Sequence, residues 1–138
     1  MMRAPLLAIA ALGLSGCFFS SSDGTTTSVG PAIPADGTLT VDWTINGGKD
    51  PNQCNQAQAV AIQITVTTTA GGFAGTFQQQ CQTFATSITL APGAYTAQAE
   101  LLDPGGQPRT TSVPINPFTI RGNDELVIPI DFPASSFF

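Results

Sequence analysis

Residues 38–45 read Thr-Leu-Thr-Val-Asp-Trp-Thr-Ile, and their strict alternation decides the fold class. Leu39, Val41, Trp43 and Ile45 fall on one face, and Thr38, Thr40, Asp42 and Thr44 on the other. Period two in β-branched residues is the pattern of a half-buried strand. Residues 60–68 repeat it, with Val60, Ile62, Ile64 and Val66 expected to point inward. The turn Thr69-Ala70-Gly71-Gly72 then leads into Phe73, Gly75 and Phe77, alternating with Ala74, Thr76 and Gln78. Together the two runs predict a hairpin.

Further along, a short strand is expected around residues 86–90, and another at 95–101 with Tyr95, Ala97, Ala99 and Leu101 inward. Asp103-Pro104-Gly105-Gly106 is a turn, since Pro presets φ and Gly permits a positive φ after it. Val113 and Ile115 share one phase, but Phe118 and Ile120 sit one step off it. Asn116-Pro117 between them predicts a bulge. Leu126, Ile128, Ile130 and Phe132 close the series, and Pro129 marks their strand as an edge or its end. About seven short strands, with no 3.6-residue period outside the N-terminal segment, predict an all-β domain at 37–138. The expected architecture is a single antiparallel β-sandwich.

The stretch Leu90-Ala91-Pro92-Gly93-Ala94-Tyr95 resembles the L-x-P-G-x-Y strand–turn–strand of bacterial Ig-like and transthyretin-like domains, including carboxypeptidase regulatory-like modules. The resemblance implies an Ig-like form of the sandwich. A transmembrane barrel, suggested by the terminal Phe137-Phe138, fits poorly. The strands are short, and one Trp with one Tyr cannot make aromatic girdles.

The N-terminus carries an address. Met1-Met2-Arg3 precedes an apolar run, Ala4 to Leu14, of signal-peptide length, whereas a spanning helix needs about 20 apolar residues. Directly after it stands Leu14-Ser15-Gly16-Cys17, which resembles the lipobox of bacterial lipoprotein precursors. That resemblance implies a signal-peptide helix at 1–16, cleavage before Cys17, and a diacylglyceryl group on the Cys17 thiol, so that the membrane is a partner through the lipid anchor. Two or more acyl chains hold a protein stably where a single one does not. Phe18, in place of an Asp after the cysteine, implies the outer membrane of a diderm bacterium.

Residues 17–36 are then the lipidated cysteine and a Ser/Thr/Gly/Pro tether. Such a composition cannot bury enough apolar surface to offset chain entropy. Nineteen flexible residues reach roughly 24 Å root-mean-square.

The 138 residues include 4 Lys+Arg against 9 Asp+Glu, with no His and a net charge of −5. So few cations cannot neutralise many phosphates, and no nucleic acid is expected as a partner. Without histidine the usual Ser/His/Asp and Cys/His sets cannot be assembled. Neither a P-loop nor an EF-hand spacing appears, so no cofactor, metal site or catalytic residue is assigned and an enzyme is not expected.

With Cys17 given to lipid, Cys54 and Cys81 are the remaining pair, and exported proteins usually oxidise such a pair. The hairpin register would set Cys81 opposite Val60, near the Cys54 loop. A bridge closing a loop of about 28 residues stabilises by roughly 3.5 kcal/mol. The polar loop Asn46-Gly47-Gly48-Lys49-Asp50-Pro51-Asn52-Gln53 is the candidate contact surface, with Asn46, Lys49, Asp50, Asn52 and Gln53 as its side chains. The function expected is a non-catalytic binding or structural module that docks an envelope protein through edge strands or Phe137-Phe138. The alternatives are glycan binding through Gln78, Gln79, Gln80 and Gln82, and a small envelope hydrolase.

Overall fold

A computed structural model describes residues 30–138, and the expectations for the signal peptide, Cys17 and most of the tether lie outside those residues. The domain is all-β and built from two sheets. Strands β1 (Gly37–Ile45), β2 (Ala61–Thr68), β3 (Phe73–Gln80), β4 (Ala85–Leu90), β5 (Gly93–Leu102), β6 (Val113–Ile120) and β7 (Glu125–Phe132) follow in chain order. One sheet has the order β4-β1-β7, and the other β3-β2-β5-β6.

One buried cluster takes side chains from both sheets. Leu39, Val41, Trp43 and Ile45 of β1 meet Ile62, Ile64 and Val66 of β2, and Ala97, Ala99 and Leu101 of β5. These are the inward positions of the period-two runs, because alternate side chains of a strand leave on opposite faces. Central β1 and β2 alternate between buried and half-covered positions along most of their length.

The bulge expected at Asn116-Pro117 is present. Tyr95 pairs with Phe118 but Ala97 with Ile115, so β6 has one residue more than β5 across the step. The extra residue turns both Ile115 and Phe118 into the core. Pro129 lies on β7, an edge strand, where a missing ladder donor costs little.

Three expectations are corrected. The domain is not wholly antiparallel, because β1 pairs with β7 in parallel, from Thr38 with Glu125 to Ile45 with Phe132. Alternation fixes which face a side chain takes but not the direction of a neighbour, and no tight turn joins these two strands to impose one. Val60 is 49% exposed rather than buried. The chain approaches it through Gln58 at a φ of 57°, and Val60 stands just before the first residue of β2.

Phe73 is 70% exposed. The β2–β3 register shifts between Val66 and Thr67, and this turns Phe73 away from the phase of Phe77 to stand opposite Thr67. Phe77 keeps partial contact with the core, and its ring lies back along β3 over Gly75.

Candidate functional site

The candidate contact loop begins with a tight hairpin turn. Asn46 and Gly47 have φ of 50° and 76°, and Ile45 and Gly48 exchange N–H···O bonds of 2.9 and 3.0 Å. Both central residues in the left-handed region make a type I′ turn, for which Asn-Gly is the preferred pair. Asp131 braces it: one carboxylate oxygen accepts from Thr44 Oγ1 at 2.6 Å and from the Gly47 N–H at 2.9 Å.

The chain then enters helix α1 (Pro51–Gln56), so the last part of the polar loop is helical. Asp50 is the N-cap, its side chain accepting from the Asn52 N–H, and Pro51 occupies the first turn where its missing donor costs nothing. Asp-Pro before a polar run was the available signal.

These local roles divide the candidate residues. Lys49 pairs with Asp42 on the outer face of β1. Asp50 is committed to the helix cap, and Asn52 stays exposed beside it. Only Asn46 and Gln53 turn toward a shared space. Cys54, on α1, is bonded to Cys81, which opens a short 3₁₀ turn after β3. The Cys81 N–H donates to Val60 O at 3.0 Å, the pairing expected from the hairpin register. Both cysteines are fully buried.

The shared space is a pocket of about 320 Å³ lined by Asn46, Gln53, Gln56, Arg109, Phe137 and Phe138, with Ile45, Ala57 and Ala134 behind. Arg109 Nε donates to the carbonyl of Ala57 at 3.2 Å, which fixes the guanidinium against α1. The backbone of Arg109 accepts from the Phe138 N–H at 3.3 Å, and the Thr111 N–H donates to Ser136 O at 2.8 Å. Residues 136–138 are thus laid beside 109–111. Phe137 packs on the core, while Phe138 is 75% exposed at the pocket mouth. Gln53 Oε1 is buried without a hydrogen-bond partner. The pocket therefore offers a fixed cation, amides and an aromatic ring.

Sequence reasoning singled out the loop and the Phe pair separately, and the fold sets them side by side. Arg109 was missed. It follows the Asp103–Gly106 turn with no motif around it, and nothing local indicates that it returns to α1.

Elsewhere, the outer face of the second sheet carries a polar row. Gln78 Nε2 donates to Gln63 Oε1, Gln63 Nε2 to Glu100 Oε1, and Ser112 Oγ to Glu100 Oε2. Gln82 is separate from this row, donating to Asn55 Oδ1 at 3.2 Å. Asp103 organises its own turn, accepting from the N–H groups of Gly105 and Gln107. Among the described residues no three His, Cys, Asp or Glu side chains gather as a metal-holding group. No helix there is long and apolar enough to cross a membrane.

Comparison with protein-family models and with curated proteins yields no match. Among solved structures, the fold is similar to part of a leucine-rich repeat protein from Bacteroides thetaiotaomicron VPI-5482. The TM-score is 0.50 over 72% of this chain, at 14% sequence identity. The matched part is 12% of that protein's chain, and the likeness is one of backbone arrangement alone.

Proposed function

We propose that the protein is a lipid-anchored component of the bacterial cell envelope, held by an acylated Cys17 at the outer membrane. Its domain, read as an Ig-like β-sandwich, serves as a non-catalytic docking module. The lipobox Leu14-Ser15-Gly16-Cys17 and the tether composition supply the first half of this proposal.

The observation that carries the second half is the placement of the pocket. The tether meets the domain at Gly37, the start of β1, and the pocket opens at Ile45, its end. The eight steps from Gly37 to Ile45, at 3.3 Å each, span about 26 Å. A partner meeting Phe138 and Arg109 therefore approaches the end of the domain opposite Gly37. An exposed aromatic beside a fixed arginine is the composition from which interface anchors are drawn. The amide row of Gln78 and Gln63 supports glycan binding less well, because the exposed ring on that face, Phe73, lies five residues from Gln78 along β3.

The test is photo-cross-linking in intact cells from a probe at position 138, with Cys17→Ser as the control. A discrete protein captured with Cys17 intact and lost in the control is the expected result. Capture of glycan alone, or of nothing above the control, overturns the docking proposal.

A further inference from the structure

The four lateral strands of the two sheets are protected very unequally. β6 carries Pro114, Pro117 and the bulge, and β7 carries Pro129, Glu125 and Asp131. Prolines, bulges and charges are the devices that stop an edge from pairing with another chain. β3, Phe-Ala-Gly-Thr-Phe-Gln-Gln-Gln, has no proline and no charge over eight residues. β4 shares that composition but is only six residues long.

The hydrogen-bonding phase of β3 can be followed from its end. The Cys81 N–H faces β2, donating to Val60 O. In an antiparallel ladder facing groups recur every second residue, so the N–H and C=O of Thr76, Gln78 and Gln80 point away from β2. Gln80 agrees with this, since its N–H is taken by the side chain of Gln79 at 3.0 Å. Thr76 and Gln78 are left presenting backbone donors and acceptors along the open edge.

Charge selects the occupant. No Asp, Glu, Lys or Arg lies between Asp50 and Glu100, so β2, β3 and β4 are uncharged along their whole length until β5 reaches Glu100. The chain as a whole carries −5, and two copies approaching through the β7 edge or the Asp124-Glu125 loop would oppose like charges. β3, β4 and β6 carry no charge to repel a second copy, and of these only β3 combines eight residues with an edge free of proline, whereas a charged partner strand gains nothing there.

We propose that β3 is a self-association edge, pairing antiparallel with β3 of a second copy about an axis at Phe77. Thr76 of one copy then exchanges N–H···O bonds with Gln78 of the other, and the two four-stranded sheets become one. The inference rests on the docking reading and names a copy of the chain itself as one docking partner, at an edge separate from the Phe138 pocket.

The experiment uses the full chain carrying Cys17→Ser, oxidised, so that it does not depend on lipid. Sedimentation equilibrium should show a reversible monomer–dimer equilibrium. Thr76→Lys with Gln78→Lys should raise the dissociation constant about tenfold or more without lowering the melting temperature measured at concentrations where the parent chain is monomeric. Ser87→Lys on the β4 edge should leave it unchanged. Hydrogen exchange should show the Thr76 and Gln78 amides slowing as concentration rises. A chain monomeric at every concentration, or a dimer indifferent to the lysines, overturns the proposal. A monomer that still captures a protein through position 138 overturns this inference alone, and the docking reading stands.

Discussion

The indole N–H of Trp43 donates a 3.0 Å hydrogen bond to the backbone carbonyl of Cys81. Trp43 belongs to the β4-β1-β7 sheet, and Cys81 directly follows β3 of the other, so this bond ties the two sheets at the end where the disulfide lies. Both residues are fully buried, and the ring of Phe84 stands 6.4 Å from the indole, centre to centre.

Replacing the indole by a smaller ring without a donor should therefore cost more than its volume. Trp43→Phe leaves the Cys81 carbonyl buried and unsatisfied beside a cavity, a loss of about 2–4 kcal/mol. Urea unfolding followed by far-UV circular dichroism measures it. A loss below about 1 kcal/mol would mean that the carbonyl finds another donor.

The Cys54–Cys81 bridge joins α1 to the end of β3, with a sequence separation of 27 residues. Reduction, or the pair Cys54→Ser and Cys81→Ser, should lower stability by about 3.5 kcal/mol on the loop-entropy relation. The loosening should be greatest at α1, which is six residues long and too short to hold as a helix unaided. Hydrogen exchange across 51–58 reads this directly: protection there should fall further than in β1.

Two glycines should respond to alanine for different reasons. At Gly47 a Cβ has open space around it, but the φ of 76° disfavours any side chain, so Gly47→Ala should cost about 1 kcal/mol. At Gly37 a Cβ would overlap the Arg121 carbonyl oxygen and lie 2.7 Å from Ile120 Cγ2. Gly37→Ala should cost about 1–3 kcal/mol through displaced backbone. Thermal melts of the two variants rank them, and a larger loss at Gly47 would contradict this order.

If Cys17 is acylated, Cys17→Ser should move the protein from the membrane pellet to the soluble fraction and abolish fatty-acid labelling. Pelleting unchanged by the substitution would show that something other than lipid holds the chain.

The parts of the fold legible in the sequence are those governed by a period of two. Leu39 to Ile45 and Tyr95 to Leu101 took their expected faces because a single residue's slip would expose the whole set. The phase break at Asn116-Pro117 was readable for the same reason. Phe73 and Val60 were misplaced because a register shift beside one and a positive φ before the other interrupt the alternation between visible hydrophobic residues.

The turn at Asn46-Gly47 and the cap at Asp50-Pro51 were written in turn chemistry, which the polarity of the loop obscured. Pairing of β1 with β7 and the approach of Arg109 to Ala57 join residues 52 or more positions apart. No local pattern encodes such meetings, and with them the composition of the pocket stayed hidden.

The direction of β1 between its two neighbours has a mechanical consequence. A pull at Gly37 directed along β1 would load hydrogen bonds to β4 and β7 that lie across it. Such a load cannot unzip those bonds one after another, and must shear both ladders at once. Loaded in that direction, the domain yields by rupture of the whole strand rather than by fraying.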